Sequence, residues 1–403
     1  MAKDDAEPRQ QYVAMGGEDA VEIPDDHPDV PDGSPGKLTD DQRASLREMW
    51  KGYFDWCAKA SGTNTGGTGA GFQEDDVDPK KAGIPKGDAA KDEAKMKEEQ
   101  AGLNALLQTY GPDSLKKALW QFVKMDAPDA VFLRFLRARK WDVTRAMGMF
   151  ATCLKWRLDN DVEALVNGGD LDNGKNIEKF LDQQRSGKTY SLGTASNEQP
   201  ICMVHVRKHF IGRQTNVSMQ KFVIYAMECF RLMMQPPQEK CIIFFDLTGF
   251  GLVRLISAKL NMPLVADSLL FQRNMDWNCI LFIVKCLEAY YPESLGIMYI
   301  HNAPWIFSGI WRILSPLLDP VVRSKIAFTK TAKDVEDRIP AERLIADLGG
   351  NVAQEFEFTE IDEHDNDKVH DLEGREKSWK KYMALADEFE AATRKLIETD
   401  GKE

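Results

Sequence analysis

The sequence places few residue types where they could catalyse a reaction. Its Gly-Lys-Thr triplet, Gly187–Thr189, lacks the glycine that a phosphate-binding loop needs five residues before Gly187, where Asp182 stands. His205 and His209 lie four residues apart across the end of a predicted strand, so their rings would not converge on a metal ion. The sequence shows no glycine-framed serine elbow and no dinucleotide-binding glycine pattern. We therefore expect neither a metal site nor a catalytic centre.

The seven cysteines also indicate no disulfide framework. They form no Cys-x-x-Cys pair, and most lie within apolar runs, as is typical of small buried side chains in a reducing compartment. An odd number of cysteines in a chain of 403 residues is unlike a small disulfide-stapled protein. These residues are Cys57, Cys153, Cys202, Cys229, Cys241, Cys279 and Cys286.

Charge is unevenly distributed along the chain, whose formal net charge is -12. Residues 1–36 and 355–403 each carry a net -8, which leaves the segment between them at +4. A mildly basic middle is compatible with an anionic membrane surface or a phosphate-bearing ligand. The first residues lack the apolar stretch of a signal peptide, and no stretch approaches the roughly 18 apolar residues of a membrane span. We expect a cytoplasmic monomer that contacts membranes peripherally and does not bind nucleic acid.

The first 158 residues predict a helical lobe that follows an acidic tail. Residues 1–36 are rich in proline, aspartate and glycine and are expected to be disordered. Apolar residues recur at helical spacing over 37–158, interrupted at 61–100 by a low-complexity stretch that we interpret as a linker-like insertion with some helix near its end. The predicted helices are Asp40–Lys59, Ala101–Tyr110, Asp113–Val123, Pro128–Arg139 and Val143–Leu158.

Strands alternate with helices over residues 176–351. This order predicts an α/β domain with a mostly parallel sheet. A last amphipathic helix is expected within 374–399. The predicted strands are Ile201–Val206, Cys241–Leu247, Ile297–His301 and Lys325–Thr329, and the predicted helices are Val217–Met234, Asp276–Tyr290, Trp305–Leu314 and Ala341–Leu348.

Three separated segments have a highly specific order and spacing. The first is FLRFLRARKWDV at Phe132–Val143, and the second is YYPESLG at Tyr290–Gly296. The third is LDPVVRSKI at Leu318–Ile326, followed by LGGN at Leu348–Asn351. In this combination the chain resembles the CRAL-TRIO family of lipid-binding proteins, and within it the fungal phosphatidylinositol-transfer branch. The resemblance covers residues 37–354 apart from insertions.

The resemblance implies a cavity floored by the sheet and closed by a mobile gate helix. Two acyl chains expose about 30 methylenes at ~0.8 kcal/mol each, so a lipid in water needs nearly complete enclosure. Residues 306–322 fit the gate because they are bulky and apolar and contain Pro316 and Pro320, which interrupt a helix and can act as hinges. An ordinary core helix that ends at a proline is the alternative. The predicted gate and pocket residues are Phe307, Trp311, Leu314, Leu317 and Leu318.

The resemblance also implies four headgroup residues, Arg139, Lys140, Glu293 and Lys325. Cations suit the phosphate of an inositol phospholipid, and a carboxylate can accept hydrogen bonds from the ring hydroxyls. The alternative is that these charges form a surface ion-pair network that joins the lobe to the sheet domain. Phosphatidylinositol is accordingly the predicted ligand, in place of any cofactor.

Four positions depart from the family's pattern. Ser294 stands where an arginine follows the glutamate, and Val322 replaces a threonine. Cys241 and Ile243 replace hydroxyl side chains that would hold a choline phosphate. We therefore predict weak or no phosphatidylcholine exchange, and a neutral lipid such as a sterol or squalene is an alternative second ligand.

Residues Val253–Gln272 have no counterpart in the family's pattern. Two hypotheses stay open, a translated retained intron and a genuine extension of a lid loop.

Two other function classes also remain beside the lipid carrier. One is an adaptor that senses a lipid and recruits partners through its acidic ends, and the other, less favoured, is an α/β enzyme.

Overall fold

The computed structural model describes residues 30–64, 72, 88–249, 276–305, 307–353 and 356–399. Within the first 29 residues it describes only two paired antiparallel strands, β1 (Tyr12–Val13) and β2 (Ala20–Val21). The segment Val253–Gln272 and the two hypotheses about it therefore lie outside the described residues. Among the described residues, none of the helices is both long and apolar enough to cross a bilayer.

Five helices form the predicted lobe around an aromatic core. Helix α1 begins after Thr39, whose side chain accepts from the Gln42 amide while the Gln42 side chain caps Thr39 in return. Trp50 of α1 packs on Phe132 with ring centroids 4.4 Å apart, and Phe132 packs on Phe150 at 5.0 Å. The helices are α1 (Asp40–Lys59), α2 (Asp88–Thr109), α3 (Pro112–Val123), α4 (Pro128–Ala138) and α5 (Val143–Asp159).

Helix α2 includes the helix expected near the end of the low-complexity insertion, and it starts earlier than predicted. It begins at residue 88 rather than at Ala101, so the last part of the stretch 61–100 is helical. It packs so closely on α5 that a Cβ at Gly148 would lie 2.8 Å from the Cβ of Glu99. Because α2 is mostly polar, the pattern of apolar residues in the sequence does not predict this contact.

Residues 30–36, expected to belong to a disordered tail, are instead turns that pack on the lobe. Val30 and Ser34 are buried there. The carbonyl oxygen of Gly33 accepts a hydrogen bond of 2.7 Å from Arg137. A Cβ at Gly33, whose φ is +78°, would lie 2.8 Å from the ring of Trp141, so the tight turn favours glycine here.

A five-stranded sheet confirms the predicted α/β class. Its order follows the chain, β3 to β7; the β3–β4 pair is antiparallel, and β4, β5, β6 and β7 are parallel. The short edge strand β3 was not predicted. The strands are β3 (Thr189–Thr194), β4 (Pro200–His205), β5 (Cys241–Asp246), β6 (Leu295–His301) and β7 (Ile326–Thr329).

The two faces of the sheet bury alternate residues of each strand, as the period of two requires. On one face Ile242 and Phe244 pack beneath Ile339 and Leu348 of the segment after β7. On the other face Cys202 and Ile243 point toward Phe230 and Leu287 of the helices. The segment predicted as helix Ala341–Leu348 is two 3₁₀ turns, Ala341–Arg343 and Ala346–Leu348.

The remaining helices surround the sheet or return to the lobe. Three short ones between the lobe and β3 were not predicted. The last helix packs on the lobe through Phe389, whose ring centroid lies 5.5 Å from that of Trp50, whereas Leu396 near its end is 38% exposed. These helices are α6 (Val162–Asn167), α7 (Gly169–Asn176), α8 (Phe180–Arg185), α9 (Asn216–Met233), α10 (Trp277–Lys285, continued by a π turn to Tyr290), α11 (Phe307–Leu314), α12 (Pro320–Ser324), α13 (Asp367–His370) and α14 (Leu372–Glu398).

Candidate functional site

An apolar cavity lies between the sheet and the helices α9, α10 and α11. It has two adjoining parts that enclose about 1240 Å³ and 940 Å³ of empty space, some of it open to solvent. The parts share Val204, Phe245 and Leu287 in their walls. Cys241 and Ile243, which replace hydroxyl side chains of the family's pattern, line this space and contribute apolar surface to it.

The predicted gate segment forms one wall of the cavity. Phe307, Leu314 and Leu318 line it, and each is at most 8% exposed. Trp311 and Leu317 were predicted to line the pocket, but neither is among the residues that do so. The Trp311 ring packs edge-on against Phe328, with centroids 5.0 Å apart, because its position on α11 turns it along the sheet edge.

Prolines mark both breaks within the gate. Pro316 lies in the 3₁₀ turn Ser315–Leu317 that ends α11, and Pro320 is the first residue of α12. Proline is tolerated in the first turn of a helix but not in its interior. The gate is therefore two short helices joined by a turn rather than one continuous helix.

Two lysines of α2 fasten the gate to the lobe, and the sequence had not singled them out. Lys95 Nζ lies 2.7 Å from Asp319 Oδ2 and 3.3 Å from Glu288 Oε2. Lys91 Nζ donates to the carbonyl oxygen of Leu318 at 3.4 Å and contacts that of Pro316. Burial alone would raise the pKa of Asp319, but the hydrogen bond and the charge of Lys95 help to hold it below its ordinary value. We call these contacts the gate latch.

The structure brings together two of the four predicted headgroup residues. Lys325 Nζ lies 3.7 Å from Glu293 Oε2, and Lys240 Nζ lies 3.6 Å from the same oxygen. Burial lowers the pKa of Lys325, and Glu293 partly offsets that effect. Arg139 is directed elsewhere, since its Nε donates to Glu99 Oε1 at 2.6 Å. Lys140 is exposed, with a positive φ of 52°.

The two residues that depart from the inositol pattern have local roles. Ser294 donates its hydroxyl proton to the carbonyl oxygen of Tyr291 at 2.6 Å. Val322 lines the cavity from the end of the gate. Neither supplies a polar contact to the Glu293–Lys325 pair.

A buried ionic network joins the lobe to the sheet domain. Glu228 of α9 is fully buried and lies 2.6 Å from Arg157 of α5. Tyr291 donates its hydroxyl proton to the same carboxylate at 2.9 Å. Burial would raise the pKa of Glu228, but Arg157 and Lys124 outweigh it and hold the pKa well below its ordinary value. Tyr291 of the Tyr-Tyr-Pro-Glu motif is thus part of this joint.

Both histidines at the carboxyl end of β4 pair with a carboxylate. His205 Nδ1 lies 2.9 Å from Asp246 Oδ2, and His209 Nε2 lies 2.9 Å from Asp276 Oδ2. Within the described part of the chain, no three histidine, cysteine or acidic side chains gather as a metal site. His205, His209 and Asp276 line the larger part of the cavity.

Comparisons with known proteins match the two parts of this architecture. Residues 184–350 match the CRAL/TRIO domain family, and residues 101–152 match the CRAL/TRIO N-terminal domain family. The phosphatidylinositol transfer protein CSR1 of Eremothecium gossypii is 36% identical over 301 residues, 74% of this chain and 64% of that protein. A CRAL-TRIO domain-containing protein of Schizosaccharomyces pombe is 32% identical over 294 residues, 72% of this chain and 61% of that protein.

A third relative is covered more fully. The SEC14 cytosolic factor of Eremothecium gossypii is 31% identical over 245 residues, which are 59% of this chain and 74% of that protein. The chain spans less than two thirds of the length of the first two relatives.

Proposed function

The chain belongs to the CRAL/TRIO domain family, and from this premise we propose that it binds one phospholipid, phosphatidylinositol, in the apolar cavity and exchanges it at membranes. The observation that carries the proposal is the cavity itself, whose walls are almost entirely apolar and which the gate covers on one side. The relative CSR1 is named a phosphatidylinositol transfer protein.

The energetics of transfer favour this arrangement. Each methylene moved from water into the cavity gains ~0.8 kcal/mol, so the lipid would stay enclosed between membranes. Release requires the gate to open, which costs least where a bilayer receives the exposed chains. Trp305, Val321 and Phe328 around the gate are 75%, 48% and 50% exposed, and such apolar side chains can enter the membrane interface.

The headgroup would lie at the amino ends of β6 and β7. Lys325, assisted by Lys240, would face the phosphate, and Glu293 would accept hydrogen bonds from ring hydroxyls. Arg139 would first have to leave Glu99, and the exposed Lys140 would be the fourth headgroup residue. The proposal assigns the protein no catalytic role and no cofactor. It describes a cytoplasmic monomer in peripheral contact with membranes.

Identification of the bound lipid tests the proposal directly. The full chain is purified, its lipids are extracted, and mass spectrometry identifies them. Transfer of labelled phosphatidylinositol and phosphatidylcholine between vesicles is measured in parallel. Phosphatidylinositol is expected as cargo and as the faster substrate. Recovery of phosphatidylcholine as the main cargo, or transfer of neither lipid, would contradict it.

A further inference from the structure

A buried lysine lies in the wall of the largely apolar cavity. Lys188 is 6% exposed, and its side chain lines the larger part of the cavity. Its ammonium donates to Gln183 Oε1 at 2.8 Å and lies 3.5 Å from His209 Nδ1. It also lies 4.6 Å from the centroid of the Phe222 ring.

The charge of Lys188 has no close anionic partner among the residues that the structure describes. No carboxylate oxygen there forms an ion pair with it within 4.0 Å. Asp276 lies behind His209, whose Nε2 is 2.9 Å from Asp276 Oδ2. A buried ammonium without an anion is costly, and burial lowers the pKa of Lys188 to about 8.

The neighbours of Lys188 hold it in place without neutralising it. Gln183 is itself fixed by donating to the Ser218 hydroxyl at 3.0 Å. Asp276 is fixed as the cap of α10, where it accepts from the Cys279 amide at 2.9 Å. With Nε2–H of His209 directed at Asp276, its Nδ1 can accept from Lys188. An ammonium has three protons, so one donor remains for a ligand in the cavity.

This site is far from the proposed headgroup site. Lys188 precedes the edge strand β3, and Thr189 pairs with Val204 near the carboxyl end of β4. Lys325 precedes β7 and Glu293 precedes β6, so both lie at the amino ends of these strands and toward the opposite edge of the sheet from β3. Four strand spacings of ~4.8 Å separate β3 from β7, and the two sites also differ by roughly 13–20 Å along the strands.

A phospholipid anchored at Lys325 would bring only the ends of its acyl chains to Lys188. A terminal methyl group offers nothing to an ammonium, so that ligand leaves the buried charge uncompensated. The surroundings instead suit an oxygen anion attached to a long apolar chain, because Ile280, Ile283 and Phe222 continue the wall beside Lys188. A carboxylate matches one ammonium, and the rest of the ligand would contact mainly apolar side chains.

We propose that Lys188, oriented by Gln183 and His209, binds the carboxylate of a long-chain fatty acid inside the cavity. The protein thus has a second ligand class besides the phospholipid. The inference rests on the proposed function in that it takes the cavity to be a lipid site. The carboxylate would displace nothing from Lys188 and would add the missing anion.

Binding of oleate and of methyl oleate to the delipidated full chain tests the inference. The two probes have the same chain, and only oleate carries a charge. Loss of one charge-assisted hydrogen bond corresponds to about 10- to 100-fold in affinity. Wild-type protein should therefore prefer oleate to methyl oleate by about that factor, and Lys188→Met should abolish the preference. Lys208→Met, on the turn before His209, is the matched control and should keep it.

Labelled carboxyl carbon gives a second readout that needs no variant. The ¹³C carboxyl resonance of bound oleate should report an ionised carboxylate next to an ammonium, and excess acetate should not displace it because acetate has no chain. Equal affinity for oleate and methyl oleate, or a preference that survives Lys188→Met, overturns the inference. Binding of neither probe also overturns it, and phosphatidylinositol transfer measured on the same sample shows whether the proposed function stands.

Discussion

Lys95 of the lobe and Asp319 of the gate form an ion pair of 2.7 Å, although 224 residues separate them in the chain. Lys95 also lies 3.3 Å from Glu288 at the end of α10. One cation therefore joins three elements that must separate if the gate is to swing away. The lobe thus restrains the gate through charge as well as through packing.

Removal of this latch should accelerate lipid exchange. Lys95→Met eliminates a partly exposed ion pair worth up to about 1 kcal/mol, so gate opening and vesicle-to-vesicle transfer should rise two- to fivefold. Lys97→Met is the control, because Lys97 pairs with Glu93 on the exposed face of the same helix, at 2.7 Å, and not with the gate. An unchanged transfer rate for Lys95→Met, with the fold intact, would show that the latch does not limit opening.

The joint between lobe and sheet domain should be much more sensitive than the latch. Glu228 is fully buried among Arg157, Arg231 and Lys124. Glu228→Gln leaves these cations without their shared anion and should lower the free energy of unfolding by about 3–5 kcal/mol. Denaturant unfolding measures the change. Glu376→Gln, which breaks only an exposed pair with Lys380, should cost almost nothing, and equal losses for the two variants would contradict this view of the joint.

The sequence predicts the elements whose own residues specify them. The strands β4 and β5 are mostly apolar runs that end in a polar residue, and α1 has a clear apolar face and a capping box. These patterns locate an element within a few residues. They succeed because the spacing of apolar residues along the element shows which of its faces is buried.

The parts that depend on tertiary contacts were missed or misplaced. The start of α2 is polar, and it is helical because it packs on α5 and pairs Glu99 with Arg139. In the sequence, Lys188 belonged only to a Gly-Lys-Thr triplet that does not complete a phosphate-binding loop. Its burial follows from the pairing of Thr189 with Val204. The spacing of residues in the sequence could not show that Lys188, just before β3, lies next to His209, in the turn after β4.

The headgroup proposal predicts a lipid-selective effect of Lys325. Lys325→Met removes one of the two lysines next to Glu293 and should slow phosphatidylinositol transfer by about 10- to 100-fold, the equivalent of one charge-assisted hydrogen bond of ~1.5–3 kcal/mol. Lys330→Met, an exposed lysine just beyond β7, is the control. Equal transfer by both variants would place the inositol headgroup elsewhere.

The buried charge of Lys188 should give the lipid-free protein a characteristic pH dependence. Burial lowers the pKa of Lys188 to about 8 from the ordinary 10.5, more than Cys279 and Asp276 raise it. Between these two values the unfolded chain binds more protons than the folded one, so folding stability rises with pH there; below about 8 the full cost of the buried charge is present. The shift corresponds to about 3 kcal/mol.

The comparison of wild-type protein with Lys188→Met isolates this effect, because other titrating groups are common to both. The difference in their free energies of unfolding should be constant below about pH 7 and should move by up to about 3 kcal/mol in favour of the wild type by pH 10. Denaturant unfolding across this range measures it. Bound oleate should reduce the change, since an anion next to Lys188 raises its pKa. A difference that does not vary with pH would mean that Lys188 is solvated in the folded protein, and its role as a buried anchor would then fail.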